Sequence, residues 1–149
     1  MNIAAHLICA AVLLSASPAL SEAVPRSGSL DNRVRTATYV ENQVFVIETD
    51  LRHSTTIHFG QGERFDAVIV GDTESFQVDP IPELGNVLTI KPHVQGASTN
   101  MTVITNRRTY SFHLREGAIP GRSGMFFEVR FRYPEDERRA AAANTQPKG

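Results

Sequence analysis

Cysteine, tryptophan and surplus positive charge are all scarce in this sequence, and each absence removes a class of function. The single cysteine is Cys9, inside an apolar amino-terminal stretch, and there is no tryptophan. A chain that sheds this stretch has no disulfide and no thiolate chemistry, so core packing alone must hold it together. Lysine and arginine number 15 against 16 acidic residues, and removal of residues 1–23 takes Glu22 and leaves the two signs balanced. Nucleic-acid binding draws much of its affinity from a basic surplus against phosphate. Direct DNA or RNA binding is therefore not expected. Four histidines lie beyond the leader, His53, His58, His93 and His113, and no pair has zinc-motif spacing. No metal and no cofactor is expected.

Catalytic patterns are thin as well. Gly60-Gln61-Gly62-Glu63 and Gly71-Asp72-Thr73-Glu74 have the glycines of a phosphate or calcium loop. A phosphate loop needs a following helix to offer its first amides, and a calcium loop needs oxygens at fixed alternate positions. Strand patterns follow instead, so both read as hairpin turns. Ser111, His113 and Asp66 can be assembled on paper into a triad, but Ser111 falls in mid-strand and not in a nucleophile elbow. The sequence predicts no enzyme.

What is present begins with a leader. Residues 3–20 are apolar, rich in Ala and Leu, and free of Lys, Arg, Asp and Glu. Small residues follow around Ser21 and Ala23. This pattern predicts a secretory signal peptide over residues 1–23, cut between Ala23 and Val24, with a cut after Ser21 as the alternative. The stretch is just long enough to span a membrane, but His6, Pro18 and the small residues at its end favour a cleaved leader. Ile8 before Cys9 is not the small residue of a lipoprotein signal.

From residue 27 to 133 short strand patterns recur at intervals of roughly 8–12 residues, the spacing of an antiparallel sandwich or barrel. They cover 34–40, 44–48, 55–59, 67–70, 76–78, 87–91, 101–105, 109–115 and 125–133. Turn chemistry separates them at Glu41-Asn42, Asp50, Gly60–62, Gly71-Asp72, Asp79-Pro80, Gly85-Asn86 and 117–121. Tyr110, Phe112 and Leu114 alternate with Thr109, Ser111, His113 and Arg115, which marks a half-buried strand. Asn106 is expected to take the left-handed turn conformation before it, with Arg107 and Arg108 at the tip. Phe127, Val129, Phe131 and Tyr133 share one face of the last strand, with Arg130 and Arg132 on the wet face. Val44 to Ile47 is apolar on both faces, as a central covered strand would be. The sequence thus predicts an all-β, antiparallel β-sandwich of eight or nine strands over 24–134.

Residues 135–149 read as a flexible charged and Ala-rich tail or linker, able to form two helical turns at most. Arg107, Arg108, Arg130 and Arg132 are the candidate interface residues, because guanidinium groups pair well with carboxylates across contacts.

The order of these segments resembles one family. Asp31-Asn-Arg-Val-Arg35 with Tyr39, the strand 44–47, and Ile57-His-Phe-Gly-Gln-Gly-Glu63 come first. Val70-Gly-Asp72 and Leu88-Thr-Ile-Lys-Pro92 follow, then 99–114 (TNMTVITNRRTYSFHL) and Val129-Arg-Phe-Arg-Tyr-Pro134. Together they resemble the amino-terminal domain of the TrbG/CagX family, the core subunit of type IV secretion and conjugation systems. The resemblance implies a β-sandwich in the periplasm-facing layer of a ring of many copies, with a bitopic inner-membrane subunit and a lipoprotein as neighbours. It brings no cofactor and no catalytic residue. Phe76 stands where many relatives have Trp. Family members usually continue into a second β domain, which makes most of the lipoprotein contact; this chain is expected to be a short form without it, so that contact and the outer ring do not carry over.

Overall fold

The alternation in 109–115 sorts the side chains of that segment between core and surface. Tyr110, Phe112 and Leu114 are fully buried, and opposite them Met101 and Val103 are buried too. The two segments form an antiparallel hairpin, Ser98–Thr105 and Thr109–Glu116. These facts come from a computed structural model that describes residues 21–117 and 124–145. The leader expected over 1–23 as far as residue 20, the turn expected over 117–121 from residue 118 on, and the last four residues lie outside the described residues.

In chain order the strands are β1 Arg26–Ser27, β2 Val34–Thr38, β3 Val44–Thr49, β4 Thr55–His58 and β5 Phe65–Val70, then β6 Phe76–Pro80, β7 Val87–Pro92, β8 Ser98–Thr105, β9 Thr109–Glu116 and β10 Glu128–Arg132. One sheet runs β1-β2-β10-β4-β7-β6 and the other β3-β9-β8-β5. The all-β expectation holds. The sheets, however, are mixed and not purely antiparallel, since β10 pairs in parallel with both β2 and β4, and β3 with β9. Alternation reports which face is buried and carries no strand direction, so this detail was invisible in it.

Both sheets contribute to one core. Phe131 of β10 meets Phe45 of β3 edge-to-face with centroids 4.9 Å apart, and Tyr110 of β9 at 5.0 Å. Phe59, just past β4, packs on Tyr110 at 4.8 Å and on Phe65 of β5 at 5.2 Å. Edge-to-face geometry suits the ring quadrupoles and adds to the large apolar area each ring buries. The rings of the two sheets thus interlock.

Three local expectations need correction. The first concerns β3, which is buried along nearly its whole length yet lies at a sheet edge rather than in its centre. Its free side is closed by the chain ahead of β1, where Ala23 forms a parallel bridge with Phe45. The second concerns the last strand, which starts at Glu128. Before it the chain kinks, with the Phe126 amide bonding to Glu48 O and the Phe127 amide to Arg33 O. Phe126 therefore enters the core, while Phe127 stays half-buried beneath the Arg33 guanidinium, 4.4 Å from its ring centre. The third is Asn106, which has no positive φ; in the described turns Asn42 and Arg52 do, at 63° and 65°. Asn106 works through its side chain, accepting from the Arg64 amide at 2.8 Å.

After β10 the chain forms a helix, α1, over Pro134–Asn144. The sequence had offered two turns in a flexible tail. Pro134 sits in the first turn, where its missing amide costs nothing, and Glu135, Asp136 and Glu137 face the positive end of the helix dipole. None of its residues is buried. Its attachment to the body rests on side-chain pairs described below.

Replacing Phe112 with Ala removes a ring that touches Phe45, Phe59, Tyr110 and Phe131. The expected cost is about 3–5 kcal/mol, seen as a lower urea midpoint with an unchanged slope.

Candidate functional site

Among the polar groups that the described chain buries is the Glu63 carboxylate. It follows the turn Gly60–62, and its side chain is fully shielded from solvent. A buried charge is tolerated only when paired and fully hydrogen-bonded. Glu63 meets that condition through four neighbours. The Gly60 amide donates to Oε2 at 2.8 Å, and the Thr105 hydroxyl donates to Oε1 at 2.7 Å. The Tyr110 hydroxyl lies 3.0 and 2.8 Å from the two oxygens. Arg108 Nη1 stands 3.2 Å from Oε2, a charge contact rather than an aligned hydrogen bond.

The cluster continues outward. The hydroxyls of Tyr110 and Tyr133 are 2.7 Å apart. With Tyr110 giving its one proton to the carboxylate, Tyr133 is the donor in that bond. The Arg108 guanidinium lies over the Tyr133 ring at 4.0 Å and bonds Asp136 of α1 at 2.5 Å. Burial works against the Arg108 charge, but the bond to Asp136 and the nearby Glu63 outweigh it and hold its pKa above the usual value. Burial first, then hydrogen bonding and the Glu63 charge, pushes the Tyr110 phenol far above the ordinary range. Tyr133 is raised chiefly by burial.

Glycine at position 60 is a requirement of this packing. A Cβ there would lie 2.5 Å from Glu63 Oε2 and 3.0 Å from the Tyr133 ring.

The four candidate arginines do different things. Arg108 is a strut between the core carboxylate and α1, only 13% exposed at its side chain, and so is not a free contact residue. Arg130 pairs with Glu128, and Arg132 pairs with Glu137 of α1 at 2.8 Å. Both remain exposed on the wet face of β10. Arg107 is exposed at the hairpin tip, and among the described residues it has no acidic partner, only a long bond to Gln61 O at 3.5 Å.

The family model for CagX, described as conjugal transfer protein, matches residues 32–148. The chain belongs to the CagX family. The type IV secretion system protein virB9 of Bartonella henselae is 33% identical over 135 residues, covering 86% of this chain and 46% of that protein. The type IV secretion system protein PtlF of Bordetella pertussis is 30% identical, covering 95% of this chain and 58% of its own length. Protein virB9 of Agrobacterium fabrum is 28% identical, covering 97% and 51%. The chain spans about half the length of the curated relatives it matches.

Within this CagX domain, His113 has neither Asp66 nor Ser111 among its hydrogen-bond partners. It bonds Ser98 Oγ through Nε2 at 2.8 Å and Glu22 Oε1 through Nδ1 at 2.7 Å. The order of bonds is that of a hydrolytic triad, but Ser98 opens a strand and is not in a strained elbow. Glu22 is also shared with Arg115 Nη2 at 3.1 Å. The chain of bonds ties residue 22 to the wet face of β9. Among the described residues, no three His, Cys, Asp or Glu side chains gather as metal ligands.

Sequence reading passed over Glu63 as one residue of a polar turn. Its role depends on Thr105, Tyr110 and Arg108 arriving from more than forty positions away, and no periodicity signals that convergence.

Replacing Arg108 with Ala strands a buried carboxylate and is expected to destabilise the domain by about 3–5 kcal/mol. Asp136→Ala touches a part-exposed pair and is expected to cost under about 1 kcal/mol, while hydrogen exchange across 134–144 quickens. Denaturant titration and exchange mass spectrometry read the two effects separately. The raised phenols add a pH dependence. Their contribution is whole below the ordinary tyrosine value of about 10 and is lost as pH rises above it. Tyr133→Phe should reduce that loss in unfolding measurements between about pH 10 and 12.

Proposed function

We propose that this chain is a non-enzymatic structural subunit of a type IV secretion or conjugal transfer apparatus, exported by its leader and working in the periplasm within the cell-envelope core complex. The observation that carries this reading is the family match over residues 32–148, with relatives named as type IV secretion proteins. Copies of the domain stand side by side in a ring, next to a bitopic inner-membrane subunit.

The shape of the domain supports such packing. The four-stranded sheet ends at β5, an open edge whose last four residues are Ala67-Val-Ile-Val70, with Ile69 56% exposed. Unpaired edges of this kind are templates for contact with another chain. Arg107 sits at the same corner, since the adjoining Asn106 is bonded to Arg64 just ahead of β5. Arg130 and Arg132 provide a second exposed patch on the opposite sheet.

A stand-alone periplasmic binding module is the second reading. It is favoured by a cleft of about 460 Å³ beside α1, whose lining includes Tyr39, Arg108, Tyr133 and Arg138. Genes for secretion ATPases and a bitopic subunit beside this one favour the first reading; their absence favours the second.

Charge reversal at Arg107 together with Arg130 and Arg132 is expected to abolish co-purification with other secretion subunits and to reduce substrate transfer at least tenfold, with the fold intact by circular dichroism. Unchanged assembly and transfer would count against these arginines as contacts.

A further inference from the structure

The segment ahead of β1 spans both sheets. Ala23 donates its amide to Val44 O at 2.8 Å and accepts from the Val46 amide at 2.9 Å, which places it on the edge of the four-stranded sheet. Two residues later the Pro25 carbonyl accepts from the buried Arg35 Nη1 at 3.2 Å. Arg26 and Ser27 then pair with Thr36 and Arg35 in the six-stranded sheet. The strap closes one open side of the sandwich, and both Ala23 and Val24 pack against the core. Glu22 adds its paired bonds to His113 and Arg115.

A leader cut between Ala23 and Val24 would discard the parts of the strap that join β3. The amide of Val46, a fully buried residue, would lose its acceptor, and buried backbone donors are almost always paired. A cut two residues earlier, after Ser21, loses little. The Gln43 side chain bonds Ser21 O at 2.9 Å but also Val44 O at 3.1 Å, so it keeps a partner without Ser21. The backbone bonds that hold the strap begin at the Ala23 amide. Ala19-Leu20-Ser21 has the small-large-small order that leader cleavage requires.

We infer that the leader is cut at the Ser21–Glu22 bond and that the working chain begins at Glu22, with Glu22 and Ala23 retained as structural residues. Water adds across that peptide bond, leaving a carboxylate on Ser21 and an ammonium group on Glu22. The inference rests on the export reading above. It makes the first two residues of the exported chain part of the fold: one pairs a buried strand edge, the other neutralises Arg115 and holds His113.

The test is the intact mass and amino-terminal sequence of the full-length gene product recovered from the periplasm, for the natural chain and for Ala23→Val. A terminus at Glu22 in both supports the inference, because position 23 is then downstream of the cut and valine suits a strand bridge. A terminus at Val24 or at any other residue, or accumulation of uncut Ala23→Val precursor, overturns the assignment of the site. A natural chain that keeps Met1 in the periplasm also overturns the assignment, and one found only in the cytoplasm overturns the export reading together with it.

Discussion

The contact between Phe131 of one sheet and Phe45, Tyr110 and Phe112 of the other is what the remaining structure depends on. The single cysteine, Cys9, can form no disulfide within the chain, so two sheets of mixed direction are held in register by packing and hydrogen bonds, above all across their shared core. Aromatic rings suit that task, since each buries a large area and their preferred edge-to-face packing limits how the sheets can slide. Tyr110 also belongs to a second system. Its ring is in the core and its hydroxyl reaches the Glu63 carboxylate, so the polar cluster at that end of the sandwich is positioned by the apolar packing beneath it.

That cluster explains why a helix without a buried residue has a defined direction. Glu63 is tolerable only with its donors assembled, and one of its charge partners, Arg108, reaches on to Asp136. Arg132 and Glu137 add a second tie. The place where the chain leaves the sandwich is thereby coupled to the hairpin tip. The surface charges follow the same economy. Three of the four conspicuous arginines are matched within the chain, which leaves Arg107 and the β5 edge as the uncommitted features of one corner.

Legibility differed from residue to residue for physical reasons. The hairpin was readable because Tyr110, Phe112 and Leu114 obey a period of two, and burial on one face is what that period measures. Phe127 was assigned to the core face with Val129, but a kink before β10 puts Phe126 in the core instead, and backbone bonds to Glu48 and Arg33 set that kink. The edge position of β3 was hidden because a strand covered by a strap has the same apolar composition as one covered by neighbouring strands. The helix α1 was underestimated because its local propensity is modest and its anchoring residues lie in other elements.

By itself the sequence determined the fold class, the family and the absence of disulfide chemistry, because burial periodicity, segment order and residue counts are local or additive properties. Only the tertiary structure decided the parallel pairings, the buried Glu63 with its distant donors, the internal use of Arg108, Arg130 and Arg132, and the union of Glu22 and Ala23 with the sandwich. Each of these depends on which residues meet across long stretches of chain. A carboxylate in a glycine turn reads the same whether it faces water or an arginine and two tyrosines, and only packing distinguishes the two.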